Sequence, residues 1–361
     1  MTRSLGLAGF LVFSIGCSAA MSPGPAPSPP SHGGGTPSPN PDPGSGNPGG
    51  SGMPSGELFV GYLQSWSQPW KATGAETQLA HLPGYLDVVN LTFMRPDASY
   101  VAGSHSLSGT GLDFPYDGPT LRDAIAALHG AHPGTRVLVS VGGASYATWT
   151  NFNAATVAAF ITDFALDGVD LDYEPANPSC AATGGHVTCG SDAELISVVS
   201  AFRAAIPRPA MVSIASWSVG AYGEGAWANA QPASAYAGIS LALFRSNAAQ
   251  ALDLVNVMSY DAGPTYDPAQ ALAAYQSYFK GAVVMGVEVP PEAWGGHIVT
   301  IGEVQSLADT VMANHAAGMM LWSIEKQPSG AASPSNPDAQ LRASAVCTKL
   351  SLGDCTAPIV P

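Results

Sequence analysis

The chain has 361 residues, 46% of them hydrophobic but only 11% charged, with 41 glycines, 31 prolines and a formal net charge of −14. That length suits one large domain or two small ones. Twelve Lys+Arg on so acidic a body cannot assemble a phosphate-tracking patch, which excludes a nucleic-acid partner, and no apolar run reaches the roughly 18 residues of a membrane-spanning helix.

The first seventeen residues read as an export signal. Arg3 supplies the positive charge, Leu5 to Ile15 form a short apolar core, and Gly16 precedes Cys17. The box Ser14-Ile15-Gly16-Cys17 resembles a bacterial lipoprotein signal, with serine where leucine is more usual; the alternative is an ordinary secretory signal that happens to contain a cysteine. Residues 18–56 hold eleven prolines and ten glycines and no aromatic, Leu, Ile or Val. Such a stretch cannot bury a core and reads as a disordered tether. A G-x-G-x-x-G match at Gly44, Gly46 and Gly49 lies inside it, with no strand before and no helix after, so it marks no dinucleotide site. The expectation is a monomer exported to the cell envelope, lipid-anchored through Cys17 rather than spanning the membrane, or else secreted.

From Glu57 to the end the chain alternates short apolar runs with helical patterns. The strand candidates are 58–62, 86–93, 136–141, 168–174, 211–217, 254–260, 282–289 and 319–323, mostly continuous Val, Ile, Leu and Met. Such runs suit parallel strands buried on both faces. Helix starts are legible between them: Ser191-x-x-Glu194 and Thr300-x-x-Glu303 as capping boxes, Asp267-Pro268 and Asn336-Pro337 as a cap before a first-turn proline. Eight β-α repeats in this length predict an α/β (β/α)8 barrel, with a doubly wound open sheet as the competitor.

All seven tryptophans (Trp66, Trp70, Trp149, Trp217, Trp227, Trp294 and Trp322) lie at, or within about a dozen residues beyond, a predicted strand's C-terminal end. In a barrel those ends share one face, so the pattern predicts an aromatic-lined cleft of the kind that stacks on sugar rings. For any one tryptophan, packing on the rim explains its place equally well. Four cysteines remain beyond Cys17, paired closely as Cys180 with Cys189 and Cys347 with Cys355. Export favours two local disulfides, although four cysteines allow three connectivities. Without C-x-x-C or H-E-x-x-H, no zinc site is expected.

The fourth predicted strand reads Asp167-Gly-Val-Asp170-Leu-Asp172-Tyr-Glu174. Period two sends Asp170, Asp172 and Glu174 to one side, about 6.6 Å apart along the strand. Three acids facing one axis cannot all ionise cheaply, so the stack should share a proton and raise at least one pKa, as a general acid at neutral pH requires. A hard-cation site is the rival reading, but no second carboxylate cluster accompanies the strand.

At this point a resemblance becomes specific. Asp-Gly-x-Asp-x-Asp-x-Glu resembles the signature of family 18 glycoside hydrolases, the chitinase family. Ser140-Val-Gly142-Gly143 resembles its Ser-x-Gly-Gly motif and Met258-Ser-Tyr260-Asp261 its Met-x-Tyr-Asp, while Gly61-Tyr62, Asn90 to Phe93 and Leu321-Trp322-Ser323 also match. By this resemblance Glu174 would protonate the leaving glycosidic oxygen. Asp172 would orient the substrate's acetamido group, and Asp170, backed by Ser140 and Tyr62, would exchange a proton or hydrogen bond with Asp172. Tyr260 would donate to the acetamido carbonyl, Asp261 and Met258 would line the same sugar, Trp322 would be its floor and Phe93 an apolar wall. Gly143 and Trp217 complete the expected substrate-binding set. The family is a substrate-assisted exception to the two-carboxylate scheme, so no cofactor and no metal is expected, and the partner is chitin or N-acetylglucosamine oligosaccharides. Two features depart from larger chitinases: Pro175 directly follows Glu174, and the stretch between the seventh and eighth strands reads as one loop and one helix, without an inserted α+β domain. That implies a compact type with an open cleft. The readings that remain are an endo-acting chitinase; an endo-β-N-acetylglucosaminidase cutting the chitobiose core of N-glycans, which shares the strand-four motif; and a silent carbohydrate-binding relative, which typically loses the glutamate that stands here as Glu174.

Overall fold

The structure is a computed structural model that describes residues 52–293 and 297–360. The export signal with Cys17, the Pro/Gly-rich segment up to residue 51 and Trp294 lie outside the described residues. Eight strands form: β1 (Leu58–Gln64), β2 (Val88–Met94), β3 (Arg136–Gly142), β4 (Gly168–Asp172), β5 (Met211–Trp217), β6 (Leu254–Met258), β7 (Ala282–Glu288) and β8 (Gly318–Trp322). All neighbours pair in parallel and β8 closes on β1. This is the predicted (β/α)8 barrel, not the open sheet.

Alternation along each strand sorts side chains between two apolar bodies. Leu58, Val60 and Tyr62 of β1 point into the barrel with Val88, Leu138, Met211, Leu254, Val284 and Met320. Phe59 and Leu63 point outward into the larger core beneath the helices, as do Val169 and Leu171 of β4. Met53 packs against the interior cluster. Gly52 N donates to Pro209 O at 2.8 Å, and Arg136 Nε donates to Gly52 O at 2.7 Å. Among the described residues, Gly52 and Met53, inside the segment 18–56 read as tether, already contact the barrel.

The helices are α1 (Gly118–Ala131), α2 (Ala154–Asp163), α3 (Asp192–Ala205), α4 (Leu241–Arg245), α5 (Pro268–Tyr278), α6 (Ile301–Ala313) and α7 (Ala339–Leu350). Between β1 and β2 the expected helix is replaced by three single 3-10 turns at Ser65–Ser67, Gly74–Glu76 and Leu79–His81. Pro69, Gly74, Pro83 and Gly84 leave no uninterrupted stretch in which an α-helix could propagate. The Thr300–Glu303 capping box forms, and Asp267 caps α5 ahead of Pro268. The Ser191–Glu194 box does not: Ser191 has a helical backbone (φ −87°, ψ −5°) rather than the extended one an N-cap uses and makes no side-chain cap bond, while the Glu194 carboxylate accepts the Tyr173 hydroxyl at 2.6 Å. The cap of α7 is Asp338, whereas Asn336 turns its amide back onto the carbonyls of Ser329 and Ala331. Both disulfides form as expected, Cys180 with Cys189 and Cys347 with Cys355. The first closes a small hairpin, Ala181–Thr183 against His186–Thr188, between β4 and α3.

Candidate active site

β4 ends at Asp172, so Asp170 and Asp172 face the barrel axis from the strand while Glu174 stands just past it. Asp170 is fully buried and accepts four hydrogen bonds. Tyr62 Oη (3.0 Å) and Ser140 Oγ (2.7 Å) donate to its Oδ2, and Ser213 Oγ (2.6 Å) and Asn256 Nδ2 (3.1 Å) to its Oδ1. Register supplies part of this set, since Ser140, Asp170 and Ser213 are direct neighbours across β3, β4 and β5. Burial pushes the Asp170 pKa up while the four donors pull against it.

Asp172 has no such support. It is 4% exposed, and its Oδ1 is buried without a partner among the described residues. Burial first, then the negative charges of Glu174 and Asp170, hold its carboxyl well above the ordinary carboxylate range. Burial likewise lifts Glu174 to about 7, with Asp261 adding to the shift and the Ala144 backbone opposing it. The donors on Asp170 favour its charged form, so the stack's surplus proton belongs to Asp172 and Glu174. Burial also raises the Tyr260 hydroxyl well above 10, with Glu288 and Asp172 adding to it, so Tyr260 stays a neutral donor.

These groups open into a cavity of about 230 Å³ lined by Tyr62, Trp66, Phe93, Ala144, Ser145, Asp172, Glu174, Ala215, Met258, Tyr260, Asp261 and Trp322. Larger hollows beside Ser67 and Pro358 contain none of the three stacked acids. One wall is a run of aromatic rings: Trp322 stacks on Phe93 at 5.6 Å and Phe93 on Trp66 at 5.9 Å, with interplanar angles of 27° and 26°. Tyr62 meets Trp322 edge-on at 5.8 Å. Gly143, with φ +75°, lies so close beneath Phe93 that a Cβ would fall 2.8 Å from the ring. Asp261, at φ +55°, is held by the β7–α6 loop: its N–H donates to Glu292 at 2.8 Å and its Oδ1 accepts the Ala293 N–H.

The structure thus gathers Glu174, Asp172, Tyr260, Met258, Asp261, Tyr62, Phe93 and Trp322 at one cavity, with Asp170, Ser140 and Gly143 immediately behind it. It does not gather the tryptophans as a set. Trp149 is buried against Tyr173 and Phe202, Trp227 packs on Tyr278, and Trp70 is 68% exposed. Trp217 is absent from the cavity lining and stacks on Tyr236 at 3.7 Å. Position after a strand fixes the face of the barrel but not the direction of a side chain. Trp66, Ser213 and Asn256 gain roles the motifs did not assign. Ser213 and Asn256 did leave a signal, as lone polar residues at inward positions of otherwise apolar strands.

The sequence profile described as Glycosyl hydrolases family 18 matches residues 58–281. No curated protein sequence matches. Among solved structures, a GH18 chitinase from Pseudoalteromonas aurantia superposes with a TM-score of 0.51 at 23% identity, over 74% of this chain and 94% of its own. Ostrinia furnacalis Group IV chitinase gives 0.55 at 15% identity, over 82% and 100%. Catalytic domain 2 of Ostrinia furnacalis Group II chitinase, a mutant in complex with penta-N-acetylchitooctaose, gives 0.54 at 14% identity, over 84% and 98%. At these identities the likeness is one of fold.

Proposed function

The chain belongs to family 18 of the glycosyl hydrolases, and from that premise we propose that it cuts β-1,4-linked N-acetylglucosamine polymers internally, with retention, the substrate's own N-acetyl oxygen serving as nucleophile. One observation carries this reading: a protonatable Glu174 and a buried Asp172 share the mouth of one strand, facing Tyr260 across a cavity with aromatic walls. A glutamic acid with a pKa near 7 is poised to give its proton to a leaving glycosidic oxygen at neutral pH.

Asp172 lies beside the acid on the same strand, so it is poorly placed to attack from the opposite face of the sugar ring. The acetamido oxygen of the substrate can reach that face. Asp172 would hold the acetamido N–H, its negative charge stabilising the oxazolinium-like intermediate, while Tyr260 donates to the carbonyl side. Asp170, fixed by its four donors, is the rigid backstop against which Asp172 exchanges its proton. Internal cutting is favoured by an open cleft: between β7 and β8, α6 is the single helix among the described residues. The oligosaccharide bound by the Ostrinia furnacalis Group II domain supports the choice of sugar.

Glu174→Gln keeps shape but has no proton to give. Turnover should fall by about two to four orders of magnitude while oligosaccharide binding survives. Near-native turnover in that variant rules out this acid. Colloidal chitin and a high-mannose glycoprotein, digested side by side, distinguish the chitinase from the N-glycan enzyme. An α-anomeric first product, or cleavage of fully deacetylated chitosan, would contradict the substrate-assisted route. The same proposal includes export with acylation at Cys17; radiolabelled palmitate should be incorporated by the full chain and lost in Cys17→Ser.

A further inference from the structure

Glu174 stands two residues past the last strand residue of β4, so sheet hydrogen bonds do not fix it. Something else must. On one side Tyr173 is tied outward, its hydroxyl on Glu194 of α3 and its ring 5.4 Å from that of Trp149. On the other side a single hydroxyl reaches the chain immediately after the acid. Tyr236 Oη lies 3.0 Å from the carbonyl oxygen of Pro175 and 3.2 Å from that of Ala176, and donates its proton between them. Its ring lies flat on Trp217, the last residue of β5, with centroids 3.7 Å apart and planes 16° from parallel.

Farther out the same two loops are joined again. Val187, in the disulfide-closed hairpin, donates its N–H to Glu224 at 2.5 Å and accepts from Arg245 at 2.9 Å. Its side chain fills the space over Gly223 and Gly238, where a Cβ on either glycine would fall 2.6 Å from it. The β4–α3 loop that carries the acid is thus pressed onto the β5–α4 loop at both its near and far ends.

We propose that Tyr236, braced by Trp217, is a positioning residue that holds the backbone following Glu174 and thereby keeps the acid's carboxyl inside the cavity. This rests on the reading of Glu174 as the proton donor. The physical route is through water. Glu174 is half-buried at the cavity and burial is the main cause of its raised pKa, so a shift of the backbone at residues 175 and 176 that turns the carboxyl outward exposes it to water and makes the proton easier to lose. Besides Tyr236, whose hydroxyl pKa is raised by burial and then by the Glu174 charge, the titratable groups facing Glu174 are Asp172 at the end of β4 and Asp261 and Tyr260 after β6, all three of which Tyr236→Phe leaves in the chain.

Tyr236→Phe keeps the stacked ring and removes only the hydroxyl. On an N-acetylglucosamine oligosaccharide its kcat should fall about ten- to hundredfold, as for a displaced catalytic group, with KM changed by less than about twofold. The Glu174 carboxyl, followed by carbon-13 NMR and assigned with Glu174→Gln, should titrate at lower pH than in the wild type. Trp217→Leu, which removes the brace, should lower that titration in the same direction. Unchanged kcat and an unchanged Glu174 titration in Tyr236→Phe overturn the proposal, as does a lowered melting temperature with the titration unmoved. Should the wild type cleave no N-acetylated oligosaccharide, the functional reading fails, and the carboxyl titration still decides the role of Tyr236.

Discussion

At the scale of single residues, the acids were the most legible part of the site because their signal is local. Alternation along one strand is enough to place Asp170 and Asp172 on a common side, and Glu174 keeps that side even though the strand stops before it. The four partners of Asp170 come from four other strands; Ser140 and Ser213 are its register neighbours on β3 and β5, and the closed barrel brings Tyr62 and Asn256 within reach of the same carboxylate. Tyr236 left no signal at all, since it lies in an irregular loop nineteen residues past β5 (residue 217 to 236) with no periodicity to orient it. Gly143 gives a sharp test of the wall. Its φ of +75° disfavours any side chain, and the Phe93 ring in its way is itself stacked between Trp322 and Trp66. Gly143→Ala should therefore cost about 1–3 kcal/mol of stability and, by displacing Phe93, weaken oligosaccharide binding. A variant with wild-type melting temperature and wild-type KM would show that the ring moves freely.

At the scale of elements, eight strands were readable because runs of Val, Leu and Met buried on both faces need no partner information to be recognised. Helix starts were less secure, and the two boxes read at Ser191–Glu194 and Thr300–Glu303 show why. The pattern states what the two side chains can do for each other, not which competitor is nearby. Thr300 is extended (φ −70°, ψ 167°) and closes the box with Glu303; Ser191 is helical (φ −87°, ψ −5°), Glu194 takes the Tyr173 hydroxyl at 2.6 Å, and the box stays open. The expected consequence is an asymmetry between identical motifs. Thr300→Ala should destabilise the fold by about 1 kcal/mol, the usual worth of an N-cap, whereas Ser191→Ala should cost clearly less. Paired denaturant titrations measure the difference, and equal losses at the two positions would show that Ser191 caps α3 in solution. The first β–α connection departs from the eight-repeat expectation because its prolines and glycines cut it into single turns.

At the scale of the whole molecule, the site's chemistry sets how stability depends on pH. Glu174, Glu288 and Glu325 are pushed by burial from 4.5 to about 7, 8 and 7 respectively, and Asp172 is raised well above its ordinary value. Lys326 sits on Glu288 and Gln68 on Glu325, yet neither offsets the loss of water. In each case the folded chain holds a proton that the unfolded chain has already released once the pH exceeds the unfolded value. Between that value and the folded one, the native state binds more protons than the unfolded state, so every rise in pH within the window removes stability. The formal charge of −14 adds self-repulsion in the same direction as the remaining carboxyls ionise. The melting temperature should accordingly be higher at about pH 5.5 than at about pH 8, and Glu174→Gln, which has no proton to lose, should narrow that difference. The gain from the substitution should appear at the alkaline end and be nearly absent at the acid end, where the wild-type carboxyl is already neutral. A melting temperature that is flat or rises from pH 5.5 to pH 8 would mean that these carboxyls are ionised in the folded protein, and Glu174 would then have no proton to give at neutral pH.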